Sequence, residues 1–176
     1  RIKIEKCTDF FKILVNKIGR TEICNKLNLK QEFKKNLSRW YESVPLNDFK
    51  ELIKLNLVSI DELPERAKIR CFFGKFKFNN KIKIDENLAS LLGYYTSEGH
   101  LHTNETTKQI SFRNSNKSIK EAIFRSTEKC FGIKPILEEN NTKLTICYDL
   151  VYYLFKYCFK FGANAYKKRV PSFLYN

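Results

Sequence analysis

Apolar positions follow two rhythms along this chain. Phe10, Phe11, Leu14, Val15 and Ile18 recur at the spacing of one helix face and predict a helix from Thr8 to Ile18, which Gly19 ends. Thr21 then caps a short helix to Leu27, and Asn28-Leu29 make a turn. Gln31 to Ser43 form a third helix bearing Phe33, Leu37 and the only Trp, Trp40. Val44-Pro45-Leu46-Asn47 leads into a further helix from Asp48 to Leu55. The period then changes. Lys75, Lys77, Lys81 and Lys83 alternate with Phe76, Phe78, Ile82 and Ile84, predicting an extended, half-buried segment.

The helical rhythm returns at Asp85, a good N-cap, with Leu88, Leu91, Leu92 and Tyr95 on one face. His100–Asn104 and Lys108–Arg113 alternate polar and apolar around Thr103-Asn104-Glu105-Thr106 and read as a β-hairpin. Asn116 to Phe131 carries Ile119, Ile123 and Phe124 at helical spacing, and Gly132 stops it. Lys134–Glu139 and Thr142–Tyr148 flank Asn140-Asn141, a second hairpin signal. Asp149 caps a strongly apolar helix through Phe161, stopped by Gly162. The order from Asp85 is αββαββα, an α+β arrangement in which helices cover one face of an antiparallel sheet. Alternation turns Leu101, Ile110, Phe112, Leu144 and Ile146 toward the helices. His100, His102, Gln109, Ser111, Arg113, Lys143 and Thr145 then point the other way. These are hydrogen-bonding types suited to base edges and phosphates, although any half-exposed antiparallel sheet is polar outside.

Within the first helix of this half, Ala89, Gly93 and Ser97 fall four apart and would admit another helix closely along that face. Glu98 stands in the last turn, where the helix dipole disfavours negative charge by roughly 0.3–1 kcal/mol. Gly99 is placed for a left-handed cap. An ordinary buried helix with a solvated terminal carboxylate carries the same pattern. The run Leu91-Leu92-Gly93-Tyr94-Tyr95-Thr96-Ser97-Glu98-Gly99 resembles the signature helix of the LAGLIDADG homing endonucleases. It departs in Tyr94-Tyr95-Thr96 and in Glu where Asp is commoner, as some archaeal and intein-borne members do.

The resemblance implies a DNA-facing sheet in the major groove and two signature helices packed through their small residues. It implies that Glu98 holds Mg²⁺ (or Mn²⁺) together with a matching acid. Lys167-Lys168-Arg169-Val170-Pro171 resembles the Lys-x-Ile-Pro segment of two-motif members, which gives Lys168 a place at the catalytic centre. A solvated basic turn before a proline reads the same way without the upstream motif. No second signature run occurs in the chain, which contains no Met and stops at Asn176. The expectation is therefore a fragment or processed piece whose second half is either a copy of itself or missing.

In the N-terminal part, the short helix, tight turn and longer basic helix resemble a helix-turn-helix of the phage-repressor kind, with Ser38-Arg39-Trp40 and Pro45 as matching features. That resemblance makes Lys30, Gln31, Lys34, Lys35, Ser38 and Arg39 groove-facing candidates. A small helical bundle without a DNA role is the alternative. The expected domains are 1–60 helical, 61–84 a basic linker and 85–176 the αββαββα half. Seven basic and no acidic residues lie between Arg66 and Lys83. A linker strand along the phosphate backbone suits Lys75, Lys77, Lys81 and Lys83, and a solvated charge run is the default against it.

Composition narrows the partner. The formal charge is +14 over 176 residues, which suits a polyanion. An anionic membrane surface explains charge equally well, but no apolar run approaches the roughly 20 residues of a spanning helix. The six cysteines show no metal-ligand spacing. With no secretory signal they read as reduced thiols of a cytoplasmic protein. His100 and His102 share a strand face far from any second Cys/His pair, and no phosphate-binding loop or Ser-His-Asp set occurs. The expected function is site-specific cleavage of double-stranded DNA by metal-assisted hydrolysis. A non-catalytic DNA-binding regulator and an intron RNA maturase are the alternatives.

Overall fold

The computed structural model describes residues 2–28, 43–71, 76–138, 141–163 and 168–171. In the N-terminal part, β1 (Ile2–Glu5) lies between β2 (Ser43–Pro45) and β3 (Lys68–Cys71), and β4 (Lys77–Asn79) extends the sheet beyond β3. All the pairings are antiparallel. Ile4 sits opposite Val44 and Ile69, and Ile69 opposite Phe78, so one face of the sheet is a row of apolar side chains. Ile4 and Val44 join a core with Phe11 and Leu14 of α1 (Thr8–Ile18), Ile23 and Cys24 of α2 (Arg20–Lys26), and Phe49 and Leu52 of α3 (Leu46–Lys54). Burial pushes the Cys7 thiol in this core up to about 11, against a smaller pull from Arg66. On the opposite row Glu5 takes Lys77 at 2.8 Å, Lys3 at 3.7 Å and the Arg70 guanidinium.

This architecture corrects the expected all-helical N-terminal domain. Three- and four-residue strands hold too few alternations to register as strands in sequence, and their partners lie far apart in the chain. Pro45 ends β2 at the sheet edge, where a missing N–H costs no ladder bond. Within the 61–84 segment, β3 and β4 are strands of this sheet, so that part is extended and paired and is not a free linker. The chain forms two compact units, Arg1–Ile82 and Lys83–Asn176. The proposed third helix, with the helix-turn-helix reading and its candidates Lys30, Gln31, Lys34, Lys35, Ser38 and Arg39, lies outside the described residues.

In the second unit Asp85 accepts a hydrogen bond from the Leu88 N–H at 3.0 Å and starts α4 (Glu86–Glu98). The chain then runs through β5 (Gly99–Thr103), β6 (Lys108–Arg113), α5 (Lys117–Phe131), β7 (Ile136–Glu138), β8 (Lys143–Ile146) and α6 (Asp149–Tyr153). The sheet order is β5-β6-β8-β7, all antiparallel. Asn104 closes the first hairpin by accepting from the N–H groups of Thr106 and Thr107 at 3.0 and 2.6 Å. Asn116 caps α5, and Gly132, at φ 67°, ends it in the left-handed region.

Leu101, Ile110, Phe112, Leu144 and Ile146 are all buried, on the face covered by the helices. Tyr95 sits among Phe112, Phe155 and Phe161, and its hydroxyl donates to the Gly162 carbonyl at 2.9 Å. Gly99 is extended at φ −79°, not the left-handed cap expected. Glycine is needed for a different reason. The strand starts directly at the helix end, and a Cβ at Gly99 would stand 2.7 Å from the Tyr95 Cα. The last helix is also shorter than its apolar pattern implied. After α6 it widens into a π turn over Leu154–Cys158, and Lys160, at φ 56°, turns Phe161 back onto Tyr95.

Candidate nucleic-acid interface

The face of the second sheet away from the helices is built by the two-residue period of its strands. Register sets His100 opposite Ser111 and His102 opposite Gln109 across β5 and β6. Across β6 and β8 it sets Ser111 opposite Thr145 and Arg113 opposite Lys143. His100, His102, Gln109, Ser111, Arg113 and Lys143 surround a shallow concavity of about 380 Å³, and Glu98, at the end of α4, joins them. His100, His102 and Arg113 are exposed, whereas Gln109, Ser111 and Lys143 are half-buried. Alternation therefore brings six of the seven expected DNA-facing residues of this sheet into one surface.

Thr145 is the exception and a correction. It belongs to the same row but is fully buried between Ser111 and Ile136, and its hydroxyl oxygen has no hydrogen-bond partner. A central position in a four-stranded sheet, with a paired strand on each side, closes water off from a short side chain.

Two neighbours of this surface were not legible in sequence because the phase of β7 was ambiguous. Glu138 faces Lys143 in register and binds its ammonium at 3.3 Å. Ile136, opposite Thr145, is 52% exposed at the sheet edge. The Cys147 thiol donates to the Gln109 side-chain oxygen at 3.8 Å.

Lys168 comes to the end of α4. Its ammonium donates to the Ser97 carbonyl at 3.3 Å and lies 5.6 Å from the centre of the Tyr95 ring. Burial pushes it below the usual lysine range, and the Glu98 carboxylate pulls it back up. Ala89 is half-buried, Gly93 and Ser97 are exposed, and a Cβ on Gly93 would meet nothing within 4 Å. Lys77, Lys81 and Lys83 are exposed, and Lys75 lies outside the described residues.

Fitness for a divalent metal follows from the donor set. Among the described residues no three His, Cys, Asp or Glu side chains gather as a metal site. Glu98 is a single exposed carboxylate, so these residues do not hold Mg²⁺ or Mn²⁺ by themselves. Nor is any described helix long and apolar enough to cross a membrane.

No family model matches the chain. It is 31% identical over 139 residues to the DNA polymerase II large subunit of Thermococcus kodakarensis, which covers 76% of this chain and 7% of that protein. It is 30% identical over 122 residues to a DNA polymerase of Methanocaldococcus jannaschii, covering 66% of this chain and 7% of the relative. A DNA polymerase of Thermococcus litoralis is 31% identical over 102 residues, or 55% of this chain and 6% of its own. The chain thus spans less than a tenth of the length of these relatives. Their names correct the assignment drawn from the nine-residue run around Gly93. None of the three is named a homing endonuclease, a regulator or a maturase. Neither the relatives nor the structure supports a second signature half.

Proposed function

We propose that this chain is a DNA-binding segment of a DNA polymerase polypeptide, holding duplex DNA against the open face of its second sheet. The observation that carries this reading is the concavity where His100, His102, Gln109, Ser111, Arg113 and Lys143 converge. A sheet surface with donors and acceptors along its middle matches the edges of bases, and the cations beside them match phosphates. The formal charge of +14 adds long-range attraction for a polyanion. The polymerase names support DNA as the partner. Lys168 extends the same surface at the end of α4. The segment binds and positions DNA.

The test is binding of a fluorescent duplex followed by anisotropy across a salt series. The native chain should bind with an affinity that falls steeply with salt. Arg113→Ala should weaken binding about fivefold or more and reduce the slope of log K against log salt by about 0.9, one phosphate contact. A native chain without duplex affinity, or an Arg113→Ala variant with unchanged affinity and slope, would sink the proposal.

A further inference from the structure

The helix-covered side of the second unit carries an arrangement that the sheet reading does not use. Along α6 and the π turn after it, Val151, Tyr152, Leu154 and Phe155 are buried and anchor the segment. From its outer side Tyr153, Lys156, Tyr157 and Lys160 emerge in succession. The rings of Tyr153 and Tyr157 stack, with centres 5.8 Å apart and planes 27° from parallel. The Lys156 ammonium lies 5.3 Å from the Tyr157 ring centre and 5.5 Å from that of Tyr152. Lys108, reaching over from β6, lies 5.7 Å from the Tyr153 ring and 3.9 Å from the Asp149 carboxylate. Tyr157 is 61% exposed, a large aromatic surface to leave in water on an otherwise anchored element.

Lys108 belongs to the same alternating row of β6 as the buried Ile110 and Phe112. Gln109, Ser111 and Arg113 occupy the other row. The tyrosines and lysines therefore stand on the side of the sheet opposite the duplex-binding face.

The geometry points to a second nucleic-acid site, in which Tyr153 and Tyr157 stack on the bases of an unpaired DNA strand while Lys156, Lys160 and Lys108 hold its phosphates. In a duplex the faces of the bases are covered by their neighbours, and only an unpaired strand offers them to an aromatic platform. The pairing of rings with ammonium groups at about 5–6 Å suits a ligand that alternates flat bases and negative charge. This site does not depend on the sheet reading and stands or falls separately.

The experiment compares two probes on the full chain, a fluorescent oligothymidylate of about 12 nucleotides and a duplex of matched length. Tyr157→Ala should weaken oligothymidylate binding between about fivefold and a hundredfold, and leave duplex binding unchanged. Tyr157→Phe keeps the ring and should bind as the native chain does. Lys156→Ala should shallow the salt slope for the single strand alone, by about 0.7. Arg113→Ala should do the reverse, weakening the duplex and sparing the single strand. The exposure of Tyr157 makes the fold insensitive to its loss, which unchanged circular dichroism and melting midpoint would verify. The proposal is overturned if the native chain does not bind the oligothymidylate. It is equally overturned if Tyr157→Ala binds it unchanged, or if Tyr157→Ala weakens both probes alike.

Discussion

Glu138→Gln should make this protein bind duplex DNA more tightly. In the folded chain the Lys143 ammonium lies 3.3 Å from a Glu138 carboxylate oxygen, with side-chain exposures of 17% and 37%. At that distance and an effective dielectric of about 20, the gross attraction is about 5 kcal/mol. Most of it is offset by the lost hydration of both ions. Because Glu138 is more than a third exposed, the net coupling falls to the range of surface pairs, about 0.2–1 kcal/mol. Releasing Lys143 to a phosphate, and removing a carboxylate that repels one, should then tighten binding about two- to fivefold. The slope of log K against log salt should steepen by about 0.9, the signature of one additional cation at the backbone. The assay is the same duplex titration across salt, with the melting temperature as a control for the loss of a cross-strand pair. Unchanged affinity and slope would refute the reasoning, since Lys143 would then face something other than DNA. Weaker binding would refute it more strongly, by assigning Glu138 itself to the ligand.

Two further outcomes test the frame that carries the surfaces. Burial alone would raise the Glu5 carboxyl, but the Lys77 hydrogen bond and the charges of Arg70, Lys77 and Lys3 outweigh it and hold the group below its ordinary 4.5. A depressed folded value contributes stability that is present above the ordinary value and is lost as pH falls through the folded one. Glu5→Gln should therefore cost about 1–3 kcal/mol near neutrality and much less in acid. Thermal melts at about pH 7 and pH 3 check this, and an equal loss at both would contradict it. Gly99→Ala should destabilise the second unit by about 1–3 kcal/mol, because the new methyl meets both the backbone and the ring of Tyr95. Denaturant unfolding followed by near-ultraviolet circular dichroism measures it, and a neutral result would mean that the helix-to-strand junction yields.

The second unit was legible because its signals agree with one another. The cap at Asp85, the helical spacing from Asn116 with its stop at Gly132, and alternation in strands of four to six residues all specified elements that the structure contains. The row of hydrogen-bonding side chains on the open face followed from strand phase alone. What alternation cannot supply is depth: Thr145 has the right phase, yet its neighbours close over it. Nor can it fix a short edge strand such as β7, where Ile136 and Leu137 are both exposed and no face is distinguished by burial. The first unit was misread because its sheet is assembled from distant pieces. Ile4 pairs with Val44 and Ile69, which lie far along the chain from it. The basic alternation near Lys77 was recognised as extended, but its partner β3 carries the ordinary composition of a loop. The nine-residue run around Gly93 marked a helix that the structure contains, without the left-handed cap expected at Gly99, and misnamed the relatives. A helix with small residues and a terminal acid does not by itself say what a protein does, because activity belongs to the site built on the fold.

The distribution of charge on the open face bears on what it recognises. The net charge of +14 is not concentrated there: Arg113 and Lys143 share the surface with Glu98, and Lys143 is already held by Glu138. Nonspecific phosphate binding favours a field of one sign, as cation after cation displaces counterions. This face instead sets its two cations opposite each other at one end of the ladder and runs His100, Ser111, His102 and Gln109 along the rest. Those side chains offer both donors and acceptors, which base edges require and phosphates do not. On the proposed reading Arg113 fixes position while Glu138 holds Lys143 back, and the pairs His100–Ser111 and His102–Gln109 discriminate sequence. Removing a cation should weaken all duplexes alike, whereas Gln109→Ala should narrow the difference between preferred and random duplexes with little change in salt slope. A Gln109→Ala variant that weakened every duplex equally would assign this row to the backbone instead.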